Sequence, residues 1–249
     1  MRGKLKAILA ALVMGLVLPG CGPKADSSIK SAAESPGKGS GVVTGKVVLK
    51  GKAPAPAVYD LSSDSYCKQH YGGTIRDESV VQNADGTLQN VFVYVKVGAG
   101  KYPSPTEPAV LEMKECRHSP HVMGVQAGQP FEVVNDETLM DTIRCVALLN
   151  DGFNVARPDK GLMIKKVFNL PEVMIKMTCD LHAWESNYVG VVNNPFFAVT
   201  GAQGDFTIKG LPAGSYLLEA WHEKYGTSGQ AVTLQTGETR SVDFTFNTK

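Results

Sequence analysis

The residues best able to do chemistry in this sequence lie on a short stretch near residue 180. Cys179 and His182 are three positions apart, and Glu185 follows three positions later. A thiolate and an imidazole on one loop are the kind of ligands that copper and zinc prefer in proteins. The spacing therefore indicates a metal site in which Cys179, His182 and Glu185 are the local ligands.

A fourth ligand is expected from an earlier strand. Strand alternation places Asp141 on the same face as Ile143 and Cys145. On a buried face an unpaired carboxylate is costly, so Asp141 needs a metal ion, His182 or another partner there. We therefore predict a site of Cys179, His182, Glu185 and Asp141, which suits Zn²⁺ or a tetragonal Cu²⁺ ion.

The same residues are compatible with a chain that holds no metal. Cys179 can pair with Cys145 in a disulfide or remain a small buried thiol, and Asp141 can lie at a strand end in solvent. Copper, zinc and no cofactor all stay open at this point. Catalysis is not expected, because Cys179 and His182 need not face each other on one loop and no oxyanion site accompanies them.

A second group of potential ligands comprises Cys67, His70, Cys116, His118 and His121. The residue types suit a zinc site, but a long stretch separates the first pair from the rest. In an oxidising compartment a disulfide between Cys67 and Cys116 is expected instead. His121 is also a candidate for a further imidazole of the first site, and otherwise it caps or packs against its strand.

Short runs of β-branched and aromatic residues surround these candidates and must position them. Gly, Asn and Pro turns separate such runs, for example residues 91–97, 131–135 and 173–178. No amphipathic helix is expected after the first twenty residues. Many short strands with turns between them predict an all-β chain built from β-sandwiches.

The first forty residues have the pattern of an exported, lipid-anchored protein. Three basic residues precede an apolar run that is too short to span a bilayer, and residues 18–21, Leu-Pro-Gly-Cys, resemble a bacterial lipobox. We expect residues 1–20 to be a signal peptide and Cys21 to be lipidated. Residues 21–41, rich in Gly, Ser, Pro and Lys, are predicted to be a flexible tether.

The expected location is the bacterial cell envelope, in the outer rather than the inner membrane. The net charge of +1, without a basic cluster, argues against a nucleic-acid partner. The membrane, reached through the lipid on Cys21, is the one partner that the sequence indicates. It identifies no protein or glycan partner.

Two family resemblances follow from these motifs. Cys179-x-x-His182-x-Trp184, between two strands, resembles the metal loop of the cupredoxins. Together with residues 193–200 it resembles an exported plastocyanin-like family, often labelled methylamine-utilisation-like. Residues 204–206, 211–216 and 237–244 are similar to the carboxypeptidase regulatory-like domain, a transthyretin-like β-sandwich. The resemblances imply a cupredoxin-like Greek-key sandwich over residues 42–192 and a regulatory-like domain over residues 193–249.

The cupredoxin resemblance implies a copper site with a Cys, a His and a weak axial Met from one loop, and a second His from an earlier strand. Asp141 stands where that His is expected, and Glu185 stands where the Met is expected. Carboxylates are harder ligands, so metal handling fits these residues better than fast electron transfer. The altered ligands favour the alternative, a metal-free surface or periplasmic binding or structural module, carbohydrate-binding modules included.

Overall fold

The computed structural model describes residues 40–157 and 159–248. The signal peptide, Cys21 and almost all of the tether predicted above lie outside the described residues. Within this part of the chain, no helix is both long enough and apolar enough to cross a membrane. Strands dominate it, so the all-β fold class predicted from the sequence is confirmed.

The described residues form one short helix, α1 (Ser65–Tyr71), and nineteen strands. In chain order the strands are β1 (Gly41–Lys50), β2 (Val58–Asp60), β3 (Thr74–Arg76), β4 (Phe92–Val97), β5 (Ala109–Lys114), β6 (Arg117–Ser119), β7 (Val122–Gln126), β8 (Pro130–Asn135), β9 (Asp141–Val146), β10 (Phe153–Arg157), β11 (Met163–Val167), β12 (Glu172–Thr178), β13 (Ser186–Val192), β14 (Phe197–Val199), β15 (Asp205–Leu211), β16 (Gly214–His222), β17 (Gly226–Leu234), β18 (Thr239–Ser241) and β19 (Phe244–Asn247).

One β-sandwich, which we call the site sandwich, carries the predicted ligands. Its first sheet has the order β10-β9-β12-β13-β7, and its second sheet has the order β11-β8-β5-β6. Buried and partly exposed positions alternate along β8, as expected for a strand with one face on a core. The two inward faces bury a core that includes Phe131, Ile143 and Val189.

A second β-sandwich, which we call the accessory sandwich, combines strands from both ends of the described chain. One sheet has the order β15-β1-β18 with β19 also paired to β1, and the other has the order β14-β4-β16-β17. Its core includes Val47, Leu218 and Phe244. Because β1 and β4 pair with these late strands, the sheets do not divide at residue 192, where the sequence places a domain boundary. Strands β5 to β13 are inserted between β4 and β14.

Two glycines allow aromatic rings of the accessory sandwich to lie directly on the site sandwich. Gly124 on β7 and Gly190 on β13 are paired in register. A methyl group on Gly124 would overlap the rings of Phe197 and Phe92, and one on Gly190 would overlap Phe92. Glycine removes that clash and lets the two sheets approach closely.

Strands β2 and β3 and helix α1 form a small unit, residues 58–76, which we call the lid. No helix was expected here from the sequence, and α1 corrects that expectation. The helix was missed because seven residues are too few to show an amphipathic period. Capping defines α1 instead: Asp64 accepts a hydrogen bond from the Cys67 N–H, and Gly72 ends the helix at φ 73°. The expected disulfide joins Cys67 of the lid to Cys116, next to β6.

The accessory sandwich contains one buried histidine that plays no part in the predicted metal site. His222 is 2% exposed, lies beside the tilted ring of Tyr225 and accepts a hydrogen bond from the Lys224 N–H at Nδ1. Burial lowers the pKa of His222 to about 4. The unfolded chain therefore binds a proton at this ring at a higher pH than the folded chain does.

This shift predicts a pH-dependent loss of stability. As the pH falls from about 6.5 to 4, only the unfolded His222 gains a proton, so the free energy of unfolding should drop by roughly 2–3 kcal/mol. In a His222→Asn variant, whose side-chain oxygen can still accept from the Lys224 N–H, that part of the loss should disappear. Urea unfolding of both proteins at pH 7 and pH 4.5 measures the difference. Equal acid sensitivity of the two would contradict the assignment.

Candidate metal centre

The loop between β12 and β13 holds three of the predicted ligands in one tight turn. The Cys179 N–H donates to the Glu185 carbonyl at 3.1 Å, and the Glu185 N–H donates to the His182 carbonyl at 3.0 Å. The Cys179 sulfur accepts from the Leu181 and His182 N–H groups at 3.2 and 3.3 Å. This turn brings Nδ1 of His182 to 3.6 Å from Sγ of Cys179 and 3.2 Å from Oε2 of Glu185.

The fourth predicted ligand arrives from the neighbouring strand. Pairing of β9 with β12 sets Arg144 opposite Thr178, so Asp141, at the start of β9, lies beside the loop. Asp141 is completely buried, and its Oδ1 lies 3.7 Å from Nδ1 of His182. Thr142 supports the arrangement, because its hydroxyl donates to the sulfur of Cys179 at 3.5 Å and accepts from the Asp180 N–H at 2.7 Å.

A second imidazole, which the sequence analysis did not assign to this site, completes the cluster. His118 on β6 is 2% exposed. Its Nε2 lies 3.6 Å from Oδ2 of Asp141 and 3.9 Å from Oε2 of Glu185. From the sequence, His118 was grouped with Cys67, His70, Cys116 and His121 and not with this site.

The spacing and the missing hydrogen bonds both fit a single metal ion. The ligand atoms of Asp141, Cys179, His182 and Glu185 all lie within 4.8 Å of one another. Atoms that one ion holds tetrahedrally, each about 2.0–2.3 Å from it, are about 3.3–3.8 Å apart. Several buried polar atoms of the cluster make no hydrogen bond among the described residues: both ring nitrogens of His118, Oδ2 of Asp141 and Oε1 of Glu185. Such atoms are rare unless a ligand or water satisfies them.

Without an ion, the cluster is balanced by its own opposite charges. For His182, burial opposes protonation, but pairing with Asp141, Cys179 and Glu185 raises the pKa to about 12. Burial raises the pKa of Asp141, and the imidazoles of His118 and His182 outweigh this and hold it well below its usual range. Burial, together with the nearby Asp141 carboxylate, raises the pKa of Glu185 to about 7. The fold thus stabilises the charged form of Asp141 and destabilises the charged form of Glu185.

Two of the alternatives raised by the sequence do not occur. Cys145 and Cys179 are both free and buried, so they do not form a disulfide. His121, considered as a further ligand, is directed away from the cluster: its Nε2 lies 2.6 Å from Oε1 of Glu223 and its Nδ1 lies 3.1 Å from the Ser186 carbonyl. His121 therefore links the site sandwich to the turn after β16.

A family model supports one of the two resemblances drawn from the sequence, the regulatory-like one. Residues 189–247 match the model of the carboxypeptidase regulatory-like domain family. No curated protein matches the chain. This regulatory-like match covers β14 to β19, the part of the accessory sandwich that follows the site sandwich.

Solved structures similar to the chain include two cupredoxins and a copper-containing nitrite reductase. A purple cupredoxin from Nitrosopumilus maritimus is 19% identical, with 33% of this chain and 98% of that chain covered and a TM-score of 0.29. A methionine-to-glutamine mutant of amicyanin, in its Cu(I) form, is 16% identical, with 34% and 81% covered and a TM-score of 0.30. A copper-containing nitrite reductase from Thermus scotoductus is 16% identical, with a TM-score of 0.33. The match covers 39% of this chain and only 25% of the reductase.

The opposite pKa shifts of the two carboxylates predict opposite effects on the stability of the metal-free protein. A pH of 8 lies above the pKa of Glu185 in both the unfolded and the folded chain, so the side chain is charged in both and its charge opposes folding. Glu185→Gln should therefore add roughly 1–3 kcal/mol to the unfolding free energy. Asp141→Asn should remove about 3 kcal/mol, because it replaces the buried carboxylate whose pKa the fold lowers and which pairs with His182. Urea unfolding in the presence of a chelator measures both. Equal losses in the two variants would show that the carboxylates are equivalent.

Proposed function

We propose that this chain is a non-catalytic metal-handling protein whose buried centre binds one Cu²⁺ ion. The observation that carries the proposal is the convergence of five potential ligands around unsatisfied buried atoms: Cys179, His182 and Glu185 from the loop, Asp141 from β9 and His118 from β6. A thiolate, two imidazoles and two carboxylates offer more donor atoms than a four-coordinate ion requires.

The donor set favours copper in its oxidised state. For a site of nitrogen, oxygen and sulfur ligands, Cu²⁺ binds more tightly than Zn²⁺ or the other divalent first-row metals. Carboxylates such as Asp141 and Glu185 are hard ligands that favour the more highly charged ion. A bound Cu²⁺ ion would supply a Lewis-acidic, one-electron redox centre, while Cys179 and the two histidines would hold it inside the fold.

The location proposed for this centre is the bacterial cell envelope. The lipobox-like residues 18–21 and the Gly- and Ser-rich stretch after them support an exported protein anchored by a lipid on Cys21. The disulfide between Cys67 and Cys116 is consistent with an oxidising compartment. In that setting the accessory sandwich is a non-catalytic module beside the metal centre.

A metal-free binding module is the second candidate function. The observation that favours it is the pairing of His182 with Asp141 and Glu185, which gives the cluster compensating charges without an ion. The two functions differ in one measurable property, which is whether the purified chain binds Cu²⁺ at the cluster.

Titration with Cu²⁺ separates the two. The wild-type chain should take up one ion and show a thiolate-to-copper absorption in the visible spectrum. Cys179→Ala should abolish that absorption, and His118→Ala should weaken binding by roughly 100-fold, since it removes a direct ligand. Cys145→Ala is the matched control, because it removes the other free buried thiol outside the cluster. If the wild-type chain binds neither Cu²⁺ nor, in a parallel titration, Zn²⁺, the result supports the metal-free module.

Lipid anchoring is tested by changing one residue outside the described part of the chain. The wild-type protein, expressed in a bacterium, should fractionate with membranes and incorporate labelled fatty acid. Cys21→Ser should abolish the labelling, because it removes the thiol that carries the lipid. Cys145→Ser, a change far from the lipobox, should leave the labelling and the membrane fractionation intact. Labelling of the Cys21→Ser protein equal to that of the wild type would contradict the proposal.

A further inference from the structure

The lid lies against the metal centre, and its contacts converge on the ligand His182. Oδ2 of Asp64, the residue that caps α1, lies 3.6 Å from Nε2 of His182. That nitrogen is the one on the opposite side of the ring from Nδ1, which faces Cys179, Asp141 and Glu185. The lid therefore supplies a carboxylate to the outer edge of a ligand whose inner edge faces the ion site.

The lid is attached to the body of the site sandwich at the strand that carries the second imidazole. The disulfide joins Cys67 in α1 to Cys116, two residues before His118. Two body residues reinforce this attachment: Trp184 donates its indole N–H to the Cys116 carbonyl at 3.0 Å, and Glu137 accepts from the Cys116 N–H at Oε2, at 3.1 Å. Trp184 also lies beside His182, with the rings tilted by 30° and their centroids 5.1 Å apart.

The underside of the lid is apolar and buried. Leu61 and Ile75 are at most 2% exposed and pack around the disulfide, with Tyr59, Leu139 and Trp184 at the edge of this cluster. The upper side carries exposed polar residues such as Asp60 and His70. With its apolar side buried and its polar side exposed, the lid covers the surface of the site sandwich next to His182. As a result His182, on a loop, is only 7% exposed.

We infer that the lid is part of the metal centre and controls ion exchange: Asp64 positions His182, and the Cys67–Cys116 disulfide holds the cover closed. The inference rests on the proposed metal-binding function. A carboxylate on the non-coordinating nitrogen of a ligand histidine sets the tautomer that leaves the other nitrogen free to bind. A closed cover makes the bound ion slow to leave, which suits retention of an ion rather than rapid exchange of it.

Thiol labelling tests the cover without any metal. The metal-free full chain is treated with N-ethylmaleimide, and peptide-resolved mass spectrometry follows the two free buried thiols separately. In a Cys67→Ala/Cys116→Ala variant, Cys179 should react about tenfold faster or more, because loss of the cross-link weakens closure. Cys145, in the core of the same sandwich, should change by less than about twofold. Acceleration of both thiols alike, or of neither, overturns the cover.

Ion release tests the role of Asp64. Asp64→Asn keeps the disulfide and a side-chain oxygen able to cap α1, and it removes only the charge beside His182. Chelator stripping of Cu²⁺ by EDTA should be about tenfold faster than in wild type. Asp60→Asn is the control, since Asp60 is an exposed carboxylate of the same lid that bonds to Ser62. Equal stripping rates in the two variants overturn the positioning role.

The two arms separate failure of the inference from failure of the proposed function. If Cys179 is selectively exposed in the disulfide variant but the chain binds no Cu²⁺, the lid is supported as a closure and the metal-handling function is excluded. If the chain binds Cu²⁺ but the variants change neither the Cys179 labelling rate nor the Cu²⁺ stripping rate, the metal site is supported and control of ion exchange by the lid is excluded. Both arms positive support the complete inference.

Discussion

The register of β12 with its two neighbours is the constraint on which the candidate metal centre depends. Pairing with β13 ends at Thr178 and Ser186, so the chain must turn within the loop that carries Cys179, His182 and Glu185. Pairing with β9 brings Asp141 to the mouth of that loop. A slip of one residue would turn the Asp141 side chain to the opposite face of the sheet. The ligand set is therefore a product of backbone hydrogen bonding more than of any single side-chain contact.

Burial of these ionisable side chains costs folding free energy, and mutual pairing within the cluster offsets part of that cost. Asp141 and Glu185 are each at most 2% exposed, and isolated carboxylates at such positions would oppose folding strongly. Their pairing with His182 offsets part of that cost. Glu185 remains poorly stabilised, and polar groups that a fold supports imperfectly are typical of sites kept for function.

Local spacing was sufficient to place Cys179, His182 and Glu185 on one loop. Alternation put Asp141 on the same face as Ile143, but it left open whether that face is buried, which the structure shows. His118 was missed as a member of the cluster because β6 is three residues long and shows no readable period. Its position depends on the disulfide and on antiparallel pairing with β5, which bring a short strand under the lid. Helix α1 was missed for a related reason, since Asp64 and Gly72 define it by capping and not by an amphipathic pattern.

The membership of β1 and β4 in the accessory sandwich has a consequence for how the chain folds. The partners of β1 are β15, β18 and β19, which follow it by roughly 160–200 residues in the sequence. Contacts of such high sequence separation close late, whereas the site sandwich assembles from strands that are near one another in the chain. During synthesis from the N-terminus, β1 must stay unpaired with its sheet neighbours until β15, β18 and β19 have been made. The candidate metal centre thus belongs to the part of the described chain able to form first, whereas β1, the first of the described strands, belongs to the part completed last.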